Sequence, residues 1–357
     1  TATYSSGVSI SKETTLTVSD SASLLQTCNI LDANPATLTT LSCVSKQLSD
    51  ISTLSSFTAL RDLSLGNNLI SDVSGISGLS TLQELALNKN LLTDISGLSG
   101  LSNLQTLNVR QNSLTNFDGL SSLDNLVEMD AILNNLTDVS ALRDMSRLKT
   151  ALLEGNNIGT VTDLANMPGL DNLDLRDNNI SSISGLTGMT GLTVLDLSEN
   201  SISNISVLSS YTRLDFLYIG NNDIVDLSPL SNLTGLLQLF SNSNDIVDVT
   251  PLAGLGSLQS LALGNNNISD ISGLTGMSNL KILNLTNNKI TDISVIASMT
   301  KLENLNLGAN QLGDIQALNG LTALRDLNLL GNQSISCSQV NALKAANPNL
   351  SVSVLGC

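Results

Sequence analysis

The chain has 357 residues, a net charge of −16, 2% aromatic residues and no histidine or tryptophan. An apolar fraction of 41% is ample for a core and argues against disorder, while so few aromatics are unusual for an ordinary globular core of this length. Phosphate backbones and anionic lipids need a basic surface that this chain lacks, no apolar run is long enough to span a bilayer, and histidine-dependent triads are impossible.

Residues 1–37 open the chain as an N-terminal segment and cap. Asp20 can start a short helix through "SASLLQTCNIL", which ends near Cys28. The opening "TATYSSGV" is no signal peptide, and a mature exported protein would have lost its own. Cys28 and Cys43 lie near one end of the chain, Cys337 and Cys357 at the other. Three pairings are possible; two local bridges are the simplest, and four free thiols are the alternative. Cysteines paired only at the ends suggest an oxidising compartment.

From residue 38 the pattern becomes periodic. "LTTLSCVSKQL" (Leu38 to Leu48) is a degenerate first unit with Lys46 at its ninth position. "LRDLSLGNNLI" from Leu60 and "LQELALNKNLL" from Leu82 then repeat at an offset of 22, with Asn at that position. The template LxxLxLxxNxI runs on without insertion through thirteen asparagines: Asn68, Asn90, Asn112, Asn134, Asn156, Asn178, Asn200, Asn222, Asn244, Asn266, Asn288, Asn310 and Asn332.

Each LxL reads as a short strand whose leucines share one face. One unit cannot bury them alone, so the units must stack. The Asn falls where the chain leaves the strand and can bond main-chain groups of its own and neighbouring turns. The second half of each unit, as in "SDISGLTGMSNL" (Ser269 to Leu280), spaces apolar residues by three, which favours 3₁₀ or irregular turns over full helices.

This template resembles the leucine-rich repeat family over about residues 38–335, in the 22-residue class seen in internalins and in a regulatory subunit of protein phosphatase 1. The resemblance implies an α/β fold: a right-handed leucine-rich repeat solenoid with a parallel sheet on the concave face and 3₁₀ or irregular turns on the convex one. Strands stacked at their usual spacing would give thirteen of them an arc of roughly 60 Å. Internalins as a family close their N-terminus with a helical cap and lack this cysteine arrangement, whereas disulfide-closed caps are similar to those of secreted leucine-rich repeat proteins in general. The family is overwhelmingly non-enzymatic, so no enzyme activity and no cofactor are expected. A two-carboxylate hydrolase remains a catalytic alternative because acidic residues gather, although carboxylate pairs on a repeat surface are more often plain solvated charge.

Some positions depart from the template. Ala131 and Ser241 replace the second strand leucine of their units and Ala151 replaces the first, which predicts local softness; Phe117 fills a core slot held by Ile95 and Val139 in other units. Asp50, Asp72, Asp94, Asp138, Asp226, Asp248, Asp270, Asp292 and Asp314 share one slot. A cation ladder is one reading. Thr160, Ser182 and Asn204 fill the same slot elsewhere, and all are residues that cap main-chain N–H groups, so capping is the better one. N-x-S/T sequons at Asn135, Asn179, Asn204, Asn232, Asn267, Asn284, Asn332 and Asn349 follow from an Asn- and Ser-rich template; Asn332, a ladder residue, should be buried.

Four slots per unit face the concave side: the residue before the first strand leucine, the one between the two, and the two after the second. Along the last four units these hold mostly Ser, Ala, Gly and Asn, with Asp326 the only charge. The centre differs. Four successive units present Glu128, Asp130, Glu154, Asp174, Asp177, Asp196 and Glu199 against the single base Arg176, interleaved with Ile132, Leu133, Leu152 and Val194. Phe216 and Tyr218 come next, then Phe240. Like charges on adjacent strands and exposed rings gain nothing for folding, and aromatic anchors in a charged surround characterise a protein-binding hot spot. The expected partner-binding set is therefore Glu128, Asp130, Ile132, Leu152, Glu154, Asp174, Arg176, Val194, Asp196, Phe216, Tyr218 and Phe240.

The C-terminal segment, 336–357, reads as a helical cap. Ser336 and Gln339 form a capping box before Val340 and Leu343, and Asn347–Pro348 stops the helix.

These features predict a non-enzymatic recognition scaffold, secreted, periplasmic or at the cell surface and of bacterial origin, that binds a basic, partly apolar protein or peptide on its concave centre. No nucleic acid or membrane insertion is expected, and calcium is a subordinate candidate ligand for the acidic centre. A spacer or adhesin stalk and an intracellular phosphatase-type regulatory subunit are the alternatives.

Overall fold

The computed structural model describes residues 24, 26–30, 33–143 and 145–355. Each unit contributes a three-residue strand centred on the first leucine of its LxL, and with a last strand beyond the repeats fifteen strands stack in chain order into one parallel sheet. It runs from β1 (Thr40–Ser42) through β5 (Glu128–Asp130), β6 (Thr150–Leu152), β7 (Asn172–Asp174), β8 (Val194–Asp196), β9 (Phe216–Tyr218) and β10 (Gln238–Phe240). It continues through β12 (Ile282–Asn284), β13 (Asn304–Asn306) and β14 (Asp326–Asn328) to β15 (Ser351–Ser353).

The register advances by one 22-residue unit at each strand up to β14: Leu173 pairs with Leu195, Leu195 with Leu217 and Leu217 with Leu239. Both leucines of each LxL are buried, and the side chain between them lies on the opposite, solvent-facing side of the sheet. The second half of most units is a 3₁₀ turn, as at Ser96–Leu98 and Ser272–Leu274, whose apolar residues close the other side of the core. Phe117 belongs to that core, as expected.

The asparagines form the ladder. The Oδ1 of Asn222 accepts the N–H of Ile202 at 2.9 Å, and its Nδ2 donates to Leu197 O at 3.0 Å and Ile219 O at 3.3 Å. One side chain thus satisfies three main-chain groups on two successive turns of the solenoid that no strand partner reaches. All but Asn112 and Asn200 are fully buried, Asn332 included. At the degenerate start, Asn68 Oδ1 accepts from both Lys46 N and Leu48 N, so the lysine in that slot leaves no gap.

The aspartate column caps turns. Asp72, Asp138 and Asp226 each accept the N–H of the residue two further on at 2.7–2.8 Å, and these bonds hold their carboxyls below the usual carboxylate range. Asn204 makes the same bond to Ser206 N at 2.9 Å.

Both ends are closed. Cys28 and Cys43 form a disulfide with Cα atoms 5.1 Å apart. Asp20, expected to start the N-terminal helix, lies outside the described residues. At the other end a helix spans Cys337–Ala346 and buries Val340 and Leu343. Ser336 caps it through Gln339 N, but the capping box is incomplete: the Gln339 side chain donates to Asp314 at 3.4 Å rather than returning to Ser336. Cys337 is disulfide-bonded, and its expected partner Cys357 lies outside the described residues. Sequence reasoning stopped at the helix; the chain then turns back at Asn347 and adds β15 to the sheet, Val352 pairing with Leu327.

Candidate functional site

Phe216 and Tyr218 flank the buried Leu217 on β9, so their rings stand on the concave face and are only half-buried. Phe240 lies directly across from Tyr218 on β10. Their rings meet edge to face, with centroids 5.2 Å apart and planes at 82°. The Tyr218 hydroxyl donates to Gln238 Oε1 at 3.3 Å, which braces the ring from the neighbouring strand. Gln238 was not expected at this site; its position opposite Phe216 is the signal that marks it. The remaining described aromatics, Phe57, Phe117 and Tyr211, are core residues, and the Tyr211 hydroxyl donates to Leu186 O.

The same row continues on the other side. Tyr218 pairs in register with Asp196, Asp196 with Asp174, and Asp174 with Leu152. One line across five strands therefore reads aliphatic, acid, acid, aromatic, aromatic. Asp174 Oδ1 accepts Arg176 N at 3.0 Å and Asp196 Oδ1 accepts Ser198 N at 2.9 Å. Such bonds end the strand neatly, and Asn108, Asn284, Asn306 and Asn328 make the same one at the same slot without a charge. Main-chain capping thus explains an Asx residue here but not its ionisation.

Partial burial pushes the Asp174 carboxyl up to about 6, reinforced by the nearby charges of Asp196 and Glu154 and opposed by the Arg176 N–H. Partial burial also raises Asp196. Arg176 does not neutralise the pair outright: its guanidinium is drawn to Glu199, with Nη2 2.6 Å from Oε1. Among the described residues no group of three or more acidic side chains is arranged to hold a metal ion.

Glu128, Asp130, Leu152, Glu154 and Val194 take their expected places around this row, exposed or half-exposed on neighbouring strands. Ile132 does not. It is 5% exposed, held in the turn that leaves β5 by the bond from its N–H to Asp130 Oδ1 at 3.1 Å, between the turns that carry Arg110 and Glu154 in the same slot. It supports the face from beneath and offers a partner little surface.

A solenoid of 22-residue units with an asparagine ladder and a parallel concave sheet defines a leucine-rich repeat protein. The family models described as "Leucine Rich repeats (2 copies)" and "Leucine rich repeat" match residues 36–78, 80–122 and 256–298, and residues 168–224, respectively. The chain belongs to this family. Its fold is similar to that of an internalin (inlF) of Listeria monocytogenes, 31% identical over 88% of this chain and 86% of that one, with a TM-score of 0.72. An internalin C2 of the same organism is 36% identical over 54% of this chain and 83% of that one, with a TM-score of 0.50. A leucine-rich repeat protein of Leptospira interrogans, 24% identical, covers 93% of this chain and 98% of its own with a TM-score of 0.66, a likeness of fold. Among curated proteins no sequence matches significantly.

Proposed function

We propose that this protein is a non-enzymatic recognition scaffold that works outside the reducing cytoplasm and binds a basic, partly apolar protein or peptide on the centre of its concave sheet. The observation that carries the reading is the in-register row Asp174, Asp196, Tyr218, Phe240. Two acids side by side raise each other's cost of ionisation, and the edge-to-face rings leave apolar area half in water. A cationic and apolar partner relieves both at once. Phe216, Tyr218 and Phe240 act as anchors; Glu128, Asp130, Glu154, Asp174 and Asp196 steer and select. The strands are rigid before binding, so little ordering entropy is lost when the partner docks. The Cys28–Cys43 bridge supports an oxidising location.

The test is selection from a random peptide display library at low salt. Enriched peptides should carry net positive charge with at least one large apolar residue, and added salt should weaken them. Phe216→Ala with Tyr218→Ala should weaken binding at least about thirtyfold while the unfolding midpoint barely moves. Selected peptides that bind this double variant as tightly as the parent would refute the assignment.

A further inference from the structure

The far end of the same concave face has a different chemistry. A groove of 330 Å³, within the size range of small-ligand sites, crosses β12, β13, β14 and β15 and includes Ile282, Asn284, Asn304, Asn306, Asp326 and Asn328 in its walls. Among the described residues it holds no aromatic side chain and no cation, and Asp326 is its one charge.

Its side chains form two rows in register. In the first, Ile282 pairs with Asn304 and Asn304 with Asp326. In the second, Asn284 pairs with Asn306 and Asn306 with Asn328. The second row is pre-oriented. Asn284 Oδ1 accepts Thr286 N, Asn306 Oδ1 accepts Gly308 N and Asn328 Oδ1 accepts Leu330 N, each at 3.0 Å. Asn328 Nδ2 donates to Asn306 Oδ1, also at 3.0 Å, while the Nδ2 groups of Asn284 and Asn306 have no acceptor among the described residues. With their oxygens held by the main chain, these amides keep fixed N–H donors free. Gly308 leaves the room they need: a Cβ there would lie 2.9 Å from Asn328 Nδ2. In the first row the Asn304 amide and the Asp326 carboxylate stand side by side, with no hydrogen bond from either side chain to the described residues.

We propose that this groove is a binding site for a neutral oligosaccharide, separate from the acidic and aromatic centre. Neighbouring hydroxyls on a pyranose each donate and accept. A carboxylate beside an amide, one strand spacing of about 4.8 Å apart, offers an acceptor and a donor to such a pair. The free Nδ2 groups of Asn284 and Asn306 donate to further sugar oxygens, and Ser351 and Ser353 of the C-terminal strand add hydroxyls at the closed end. Ile282, 45% exposed at the other end of the first row, gives an aliphatic patch for the C–H face of a ring. Among the described residues the groove wall presents none of the aromatic or arginine side chains in which protein-binding hot spots are enriched.

Screening an array of neutral glycans, followed by titration calorimetry with the best ligand, tests this. Binding with a micromolar to millimolar dissociation constant is expected. Asp326→Ala and Asn304→Ala should each weaken it at least about tenfold without shifting the unfolding midpoint, since neither side chain bonds to the described residues. The Phe216→Ala, Tyr218→Ala variant should bind the glycan unchanged, which separates this site from the peptide site. Failure of every neutral glycan to bind, equal binding by Asp326→Ala, or capture at this groove of display-library peptides instead of glycans would overturn the proposal.

Discussion

Asp174 and Asp196 face each other across β7 and β8, and each carboxylate accepts a main-chain N–H from its own strand's exit while a like charge stands on the next strand. The fold uses their oxygens and has no use for their second negative charge. Structure and recognition therefore ask different things of one side chain, and the two demands can be measured apart.

Asp174→Asn keeps the acceptor for Arg176 N and removes the charge. The Asp174 carboxyl sits at about 6 in the folded protein against 3.8 for an aspartate in water, so its penalty is absent below about pH 4, grows as pH rises, and is complete above about pH 6. The variant should be more stable than the parent at pH 7.5, by on the order of 2 kcal/mol, and no more stable at pH 3.5. Denaturant unfolding at the two pH values checks this. A stability difference that does not vary with pH would show that burial and neighbouring charge are not what raises the carboxyl.

The same substitution, combined with Asp196→Asn, should weaken a selected basic peptide and flatten the salt dependence of its binding. Peptide affinity for the parent should also fall as pH drops from 7 towards 5, because the Asp174 carboxyl, raised to about 6, takes up its proton across that window. Calorimetry across that range reads both effects.

Asn222→Ala strips an acceptor from Ile202 N and donors from Leu197 O and Ile219 O in one step. Buried main-chain groups left without partners cost about 1–3 kcal/mol each, so a total loss of about 3 kcal/mol or more is expected in urea unfolding. A loss below about 1 kcal/mol would mean that water replaces the ladder.

Ser241 occupies a leucine slot with 0% exposure, and its Oγ has no hydrogen-bond partner among the described residues. Ser241→Ala removes a buried unpartnered hydroxyl and should stabilise the protein by about 1 kcal/mol, measured by the denaturation midpoint. Destabilisation instead would reveal a bound water that the hydroxyl serves.

Removing the bridge with Cys28→Ser and Cys43→Ser opens a loop of sequence separation 15 and should cost about 3 kcal/mol. Hydrogen exchange should show the loss first around Leu41 and Leu63, the strands nearest the cap.

Most of the architecture was readable in the sequence because the period is strict. Once Leu217 and Ile219 are inward, alternation alone puts Phe216 and Tyr218 on the open face, and the asparagine slot forces the ladder. What escaped had non-periodic causes. The burial of Ile132, in a slot that leaves Arg110 and Glu154 half-exposed, depends on local packing around the turn. The preference of Arg176 for Glu199 over the Asp174–Asp196 pair depends on side-chain length and direction, which slot counting does not contain. The Gln339 contact with Asp314 and the strand β15 follow from where the C-terminal helix lands, a matter of tertiary docking. Gln238 looked like one polar residue among many until it was seen holding the Tyr218 hydroxyl.

Since each turn touches only its neighbours and each adds one strand, the separation between the carboxylate-and-ring band and the amide groove is counted in whole turns. Duplicating or deleting one 22-residue unit between them would slide one patch past the other by a single step and leave both intact. The molecule is in this sense a ruler whose graduations are leucine pairs, and a ligand that bridges both patches would feel its length in integers.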